Sequence, residues 1–350
     1  MVARGSATRF SAVSPSVCCA KPRARCWWCG RRRRQKKPRP SRSRRSRDDL
    51  KTASPSRQAA AAASARREFR GAHGVRLVAD TYGDPSAVPV LLLHGGGQTR
   101  HAWRGTARVV AAAGFYAVTL DLRGHGESGW CDAGNYELET FADDIRAIAG
   151  ELPSAPALVG ASLGGLAALV CQYEYRLARA IVLVDIAPRV DPEGVQRIVG
   201  FMRAFPEGFA SIEEAADVVA AYLPHRPRPS DTSGLAKNLR LGEDGRWRWH
   251  WDPRFLGERP RAERPDYPER INEAARSLSV PTMLVRGRMS EIVSEEGARD
   301  FLALVPHAEY VDVEDAAHMV AGDKNDAFCE AVVDFLRRRC CGCDSAAGAG

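Results

Sequence analysis

Residues 158–165 read Leu-Val-Gly-Ala-Ser-Leu-Gly-Gly, and this stretch decides the fold of the chain. It joins a short apolar strand to a helical pattern through Ser162. A serine on such a sharp turn is held at positive φ, which brings the residues two before and two after it into contact. Only very small residues fit there, and the chain has Gly160 and Gly164. The stretch therefore predicts Ser162 as an exposed nucleophile. The alternative is a glycine-rich helix start that Ser162 merely caps.

Apolar runs and helical stretches alternate on both sides of this turn. Each run is short and continuously apolar, as expected of a strand that is buried on both faces. Strands and helices in alternation predict a doubly wound, mostly parallel sheet with helices on both faces. The predicted strands are 88–93, 115–120, 157–159, 181–184, 282–285 and 310–313, after a hairpin within 69–82. The predicted helices are 103–113, 138–152, 163–173, 295–305 and 327–338.

A long interval separates the strands at 181–184 and 282–285. It contains helical patterns at 195–205 and 212–222 and then becomes rich in Pro and Trp. We interpret residues 188–270 as a helical lid, inserted over the edge of the sheet where the strands end. The predicted hydrolase core is then residues 67–187 and 271–339, and residues 340–350 form a tail.

A base and an acid are expected in that order after the serine. His318 is the only histidine that follows the last predicted strand, so we predict it as the base. The acid should follow the strand at 282–285, where Glu291 stands, and it would hold the imidazole in the useful tautomer. Asp185, directly after the preceding strand, is the rival acid.

A glycine-rich loop, Gly95–Gly97, follows the predicted strand at 88–93. Glycines let backbone N–H groups approach a developing oxyanion without interference from side chains. We expect Gly96 to supply one donor. Leu163 would supply the second from the start of the helix after the serine, where the helix dipole also favours negative charge.

Bulky apolar residues predict a substrate pocket. An aromatic wall suits an apolar acyl or ring-bearing substrate, although the same residues could simply pack the lid onto the sheet. The candidates for the pocket are Trp103, Met202, Trp249 and Trp251.

Four motifs together resemble the α/β-hydrolase superfamily, from about Phe69 to Leu336. They are His94-Gly95-Gly96 with Trp103 downstream, the sequence Asp-Leu-Arg-Gly-His-Gly-Glu-Ser at 121–128, the glycines at 160–165 and the late His318. Within this superfamily, the chain is similar to bacterial non-haem haloperoxidases, epoxide-hydrolase-like proteins and small esterases.

This resemblance implies the α/β-hydrolase fold with Ser162 as nucleophile, His318 as base, and Gly96 and Leu163 as oxyanion donors. It puts the acid at Glu291, where the family pattern usually has Asp. Relatives that open epoxides or remove halides use Asp as the nucleophile, so Ser162 argues against both reactions. Neither a metal nor another cofactor is implied.

Charge is distributed very unevenly. The chain of 350 residues has a net charge of +8, yet residues 1–47 hold 16 Lys and Arg and no acidic residue. The remainder has 51 − 16 = 35 basic against 43 acidic residues, a net charge of −8. The sequence therefore predicts no nucleic-acid partner except through the basic segment. No run reaches the roughly 18 apolar residues of a membrane-spanning helix.

Residues 1–66 have too few large apolar side chains to order themselves, so we predict a disordered extension. It could be an organellar transit peptide, a nuclear-localisation or nucleic-acid-binding arm, or a dispensable extension with a misassigned start. The scattered Cys131, Cys171 and Cys329 suggest a reducing compartment. We expect a cytoplasmic protein, or a mitochondrial or plastid one if the extension is a transit peptide.

The predicted function is a serine esterase that cleaves a small or medium acyl substrate. A carbon–carbon bond hydrolase would use the same three residues. A non-catalytic protein that closes its lid on a small molecule is the alternative from another class.

Overall fold

The structure is a computed structural model that describes residues 64–224, 228–257, 266–314, 316 and 325–340. Residues up to 63, residues 341–350 and His318 lie outside the described part, and the predictions made for them stay predictions. The first described strand begins at Ser64, before the predicted boundary at residue 67, and the last described helix continues to Cys340.

The described residues form eight strands in one sheet and two in a separate hairpin. The order in the large sheet is β1-β2-β4-β3-β5-β6-β9-β10. Pairing is antiparallel between β1, β2 and β4 and parallel from β4 onward, which confirms the mostly parallel sheet. The strands are β1 Ser64–Arg70, β2 Arg76–Tyr82, β3 Pro89–Leu93, β4 Tyr116–Leu120, β5 Ala157–Ala161, β6 Ala180–Val184, β7 Leu239–Leu241, β8 Trp247–Trp249, β9 Thr282–Gly287 and β10 Glu309–Val313.

Helices cover both faces of the large sheet. Side chains along a strand alternate between faces, so Leu91 and Leu93 join one hydrophobic cluster while Val90 and Leu92 join the other. The first cluster includes side chains of helices α2, α3, α6 and α7, and the second includes those of α1 and α8. The helices are α1 Arg104–Ala112, α2 Leu138–Ala149, α3 Leu163–Tyr175, α4 Pro192–Arg203, α5 Ile212–Tyr222, α6 Tyr267–Arg276, α7 Glu295–Leu304 and α8 Asn325–Cys340.

The segment between β6 and β9 holds α4, α5, the β7–β8 hairpin and α6. Helix α5 has the predicted bounds, whereas α4 begins three residues before the predicted Val195. The hairpin and α6 were not predicted. Pro268 lies in the first turn of α6, where the missing N–H of proline has no acceptor within the helix to lose.

Neighbouring parallel strands bring four loops to one edge of the sheet. Strands β3, β5, β6 and β9 are consecutive in the sheet. Their carboxyl ends lead into the glycine loop at 95–97, into Ser162, into Asp185 and into the loop at 288–290. Open α/β sheets bind ligands outside the carboxyl ends of their strands. This edge of the sheet is therefore the expected place of the active site.

Candidate active site

Ser162 joins β5 to α3 in a strained backbone conformation, with φ 47° and ψ −115°. The positive φ that the sequence predicts is confirmed. Its amide donates to the Val184 carbonyl oxygen at 3.2 Å, and its carbonyl accepts from the Leu166 amide at 3.0 Å. These bonds anchor the residue to β6 on one side and to α3 on the other. Strain of this kind persists only where the surrounding structure holds it in place.

The two predicted glycines lie where the chain approaches itself. A Cβ atom at Gly160 would collide with the carbonyl oxygen of Gly164. One at Gly164 would collide with the carbonyl oxygen of Leu93, at the end of β3. A side chain at either position would push α3 away from the sheet, so the two glycines set how closely Ser162 is held to the strand ends.

The glycine loop after β3 lies beside Ser162. A Cβ atom built on Gly95 would be 3.3 Å from the Ser162 Cβ. The Gly95 amide donates to Gln98 Oε1 at 3.0 Å, which fixes the loop in a tight turn. Leu163 is the first residue of α3, where an amide has no acceptor within the helix. Gly96 and Leu163 thus come from the two segments that flank the serine.

Asp185 and Glu291, the two candidate acids, have opposite environments. Asp185 is 0% exposed, accepts from the Gly287 amide at 3.0 Å and accepts from Ser290 Oγ at 2.6 Å. The Glu291 side chain is 51% exposed and pairs with the Arg197 guanidinium at 2.6 Å. A surface ion pair with α4 engages Glu291, whereas buried donors hold the Asp185 carboxylate at the strand ends.

His318 itself lies outside the described residues, but the chain that leads to it is tied to the same loops. The Arg288 amide donates to the Val313 carbonyl at 3.0 Å, and the Met289 amide donates to the Ala316 carbonyl at 2.9 Å. Ala316 is fully buried. Ala316, the last described residue before His318, is therefore hydrogen-bonded to Met289. The next residue, Ser290, is hydrogen-bonded to Asp185.

Apolar side chains of the inserted segment cover the glycine loop. A Cβ atom on Gly97 would be 3.0 Å from the Met202 Cε and 3.3 Å from the Trp251 ring. One on Gly96 would be 3.3 Å from the Phe255 ring. Phe255, which is not one of the four predicted pocket residues, thus contacts the loop as closely as Trp251 does.

The other two predicted pocket residues differ in their placement. Trp249 stacks on Trp251 with ring centroids 5.1 Å apart. It therefore packs against a residue that contacts the glycine loop. Trp103 is buried in the second hydrophobic cluster and packs against Phe328 of α8. Met202 and Trp251 belong to the first cluster, on the other face of the sheet. Trp103 therefore does not lie with them, and we leave it out of the pocket.

Buried ion pairs and hydrogen bonds hold the motif at 121–128 and the segments next to it in place. Buried Asp121 accepts from Arg100 through its backbone amide at 2.6 Å and through its guanidinium at 2.5 Å, and also from the Glu127 amide at 2.9 Å. Arg123 makes two bonds of 2.6 Å to the Asp144 carboxylate. These paired charges fix the chain between β4 and α2, and the sequence could identify the motif but not these partners.

His94 is a structural histidine at the start of the glycine loop. Its Nε2 accepts from the Leu122 amide at 3.0 Å, so Nδ1 carries the hydrogen and donates to the Gly95 carbonyl at 2.8 Å. Burial lowers the pKa of His94 to about 3, because the charged imidazolium would be desolvated. A permanently neutral ring holds the start of the glycine loop.

His250 attaches the inserted segment to the core in the same way. Its Nδ1 accepts from the Gly126 amide at 2.7 Å, which leaves Nε2 to donate to the Gly97 carbonyl at 3.2 Å. Burial lowers the pKa of His250 well below its usual value. One neutral imidazole thus joins the segment after β8 to the glycine loop and to the loop at 121–128.

Because His250 stays neutral in the folded protein, we expect stability to fall in acid. Its folded pKa lies below the unfolded value of about 6.5, so its contribution is complete above that pH and is lost as the unfolded chain takes up a proton. Between pH 7.5 and pH 5 this one group should lower the free energy of unfolding by about 2 kcal/mol.

Urea unfolding of wild type and His250→Ala at the two pH values measures this effect. The destabilisation caused by the substitution should be about 2 kcal/mol smaller at pH 5 than at pH 7.5. His73→Asn, at an exposed turn, is the control and should follow the wild type. An equal effect of His250→Ala at both pH values would contradict the buried, neutral state.

Within the described ranges, no helix is both long and apolar enough to cross a membrane. The same ranges contain no group of three or more His, Cys, Asp and Glu side chains that could hold a metal ion. The basic segment to which we assigned any nucleic-acid binding lies outside them.

Comparison with known proteins points to one family. The sequence pattern of the alpha/beta hydrolase fold matches residues 88–324. An esterase of Mycobacterium tuberculosis, Rv0045c, is 32% identical over 267 residues, which cover 73% of this chain and 84% of the relative. A 3-hydroxybutyrate-oligomer hydrolase of Cupriavidus necator is 27% identical over 261 residues, or 69% of this chain and 87% of that protein.

A solved structure agrees with the fold. The crystal structure of E-2-(acetamidomethylene)succinate hydrolase superposes with a TM-score of 0.69 and covers 78% of this chain and 99% of its own. Its sequence identity is 23%, so this likeness concerns the fold alone.

Proposed function

The chain belongs to the α/β hydrolase family and is a hydrolase, and from this premise we propose that it cleaves carboxylic esters through an acyl-enzyme on Ser162. One observation carries the proposal. Ser162 is held at a strained φ of 47° at the end of β5, between the glycine loop after β3 and the buried Asp185 after β6. Strained residues cluster at catalytic sites, where surrounding contacts hold them in the reactive geometry.

In the proposed reaction, Ser162 Oγ attacks the ester carbonyl carbon while His318 removes its proton. The carbonyl electrons move onto oxygen, and the amides of Gly96 and Leu163 stabilise that oxyanion. His318 then returns the proton to the departing alcohol, which leaves an acyl-serine. Water attacks the acyl group in the second half, with His318 again as base, and the carboxylic acid is released.

We assign the acid to Asp185 rather than to Glu291. The acid has to orient the imidazole and stabilise its charged form, and a buried, hydrogen-bonded carboxylate does this best. Asp185 meets both conditions, whereas Glu291 is half exposed and engaged by Arg197. The bonds from Met289 to Ala316 and from Ser290 to Asp185 support an approach of His318 to Asp185.

The inserted segment supports a small or medium acyl substrate. Met202, Trp251 and Phe255 lie directly over Gly96 and Gly97. Bulky apolar groups this close to the oxyanion loop leave little length for an acyl chain, and their surface favours an apolar one. We propose that this segment acts as the lid.

A series of p-nitrophenyl esters from acetyl to dodecanoyl tests this function. We expect the highest kcat/KM on the shorter esters and a decline towards dodecanoyl. Met202→Ala should move the optimum to longer chains, because it removes the side chain nearest to Gly97. Trp103→Phe, on the other face of the sheet, is the control and should keep the wild-type profile.

Two outcomes would contradict the proposal. Hydrolysis of a vinylogous diketone with no cleavage of any ester would indicate a carbon–carbon bond hydrolase. Tight retention of a small molecule with no turnover of either substrate class would indicate a binding protein.

A further inference from the structure

The hydroxyl of Ser290, in the loop after β9, has an unusual set of three partners. Its Oγ lies 2.6 Å from Asp185 Oδ2, and the amides of Ile292 and Val293 donate to the same oxygen at 3.1 and 3.0 Å. Asp185 Oδ1 accepts from the Gly287 amide at 3.0 Å. Both carboxylate oxygens are therefore contacted from the end of β9.

The chemistry of a hydroxyl makes this arrangement directional. A serine Oγ has one hydrogen to donate and two lone pairs to accept with. The amides of Ile292 and Val293 occupy the lone pairs, so the single hydrogen points at Asp185. The hydroxyl has no remaining lone pair with which to accept from another group. Ser290 therefore donates a hydrogen bond to Asp185 and cannot accept one from it.

We propose that Ser290 is a positioning residue that fixes the orientation of the Asp185 carboxylate, the acid of the proposed reaction. This inference rests on the proposed assignment of Asp185 as the acid. Sequence alone does not single out Ser290, because the carboxylate in this loop belongs to its neighbour, Glu291. Ser290 does not touch the substrate, and its effect passes through Asp185.

Loss of the hydroxyl should lower kcat more than it raises KM. A bond to a charged acceptor that only helps to stabilise the transition state affects turnover rather than ground-state binding. We expect Ser290→Ala to lower kcat about 10- to 100-fold with KM within about threefold. Ser290→Thr keeps a hydroxyl and should recover most of the rate, whereas Ser290→Val, of the same shape, should not.

Ser290→Ala also removes the acceptor of two amides, so a structural loss has to be separated from a positioning effect. A double-mutant cycle with Asp185→Asn does this. If Ser290 acts through Asp185, adding Ser290→Ala to Asp185→Asn should lower kcat no further than about twofold. A purely structural role would lower kcat by the same factor in both backgrounds.

The possible results separate the two proposals. A severe loss in Asp185→Asn with unchanged kcat in Ser290→Ala overturns the role of Ser290 and leaves the acid assignment standing. Near-wild-type kcat in Asp185→Asn overturns the acid assignment itself. Equal losses in Ser290→Thr and Ser290→Val would also overturn the inference, because only the hydroxyl distinguishes them.

Discussion

Ser162→Ala should lower kcat for ester hydrolysis about 10⁴- to 10⁶-fold, the largest effect expected of any single substitution in this chain. The variant has no nucleophile, so no acyl-enzyme can form, while the glycine loop and the apolar wall remain. Binding should persist, and KM should change little. His318→Ala should cause a loss of similar size, because residues that act as one unit do not contribute additively.

Steady-state kinetics on a short p-nitrophenyl ester measure this loss. The matched control is Ser86→Ala, at an exposed turn after β2, which should keep the wild-type rate. Circular dichroism should show both variants folded. Ser162→Ala with more than about a tenth of the wild-type kcat would contradict a nucleophilic role.

Asp185→Asn should lower kcat about 10⁴-fold. Asparagine keeps the shape of the side chain and loses its charge. The imidazolium formed during the attack would then have no buried counter-charge, and the imidazole could adopt the wrong tautomer. The buried position of Asp185 leaves no water to replace the carboxylate.

The matched isosteric control is Glu291→Gln. It removes the charge of a side chain that is 51% exposed and paired with Arg197 on the surface. Such surface ion pairs contribute little to stability. We expect kcat within about threefold of wild type. If Glu291→Gln caused the large loss and Asp185→Asn did not, the acid would have to be reassigned to the position that the sequence analysis first favoured.

The local parts of the site could be predicted from the sequence. The turn at Ser162 is defined by residues within eight positions of one another, and both its glycines and its positive φ follow from sterics alone. The sheet was also predictable, because each strand is a short apolar run such as Leu91–Leu93. What these features share is that neighbours in sequence determine them.

The choice of acid could not be predicted, since it depends on contacts between distant segments. Asp185 and Glu291 both follow a strand, and the two strands are neighbours in the sheet. Only the tertiary structure shows that Arg197 of α4 engages Glu291 and that Ser290 donates to Asp185. The sequence shows that a carboxylate follows each predicted strand, but it does not identify Arg197 or Ser290 as its partner.

Trp103 illustrates the same limit. The sequence analysis named it as a pocket residue together with Met202. The short helical turn at Arg100–Trp103 leads into α1, which packs on the opposite face of the sheet. Trp103 therefore packs in a different hydrophobic cluster from Met202 and Trp251.

The most direct test of the central claim is covalent labelling with a fluorophosphonate, followed by mass spectrometry of the intact protein and of its peptides. We expect one adduct on the wild type, located on Ser162 in the peptide that spans β5 and α3. Ser162→Ala should carry none. An adduct on Ser162→Ala of the same stoichiometry as on the wild type, or one mapped to another residue, would contradict the account.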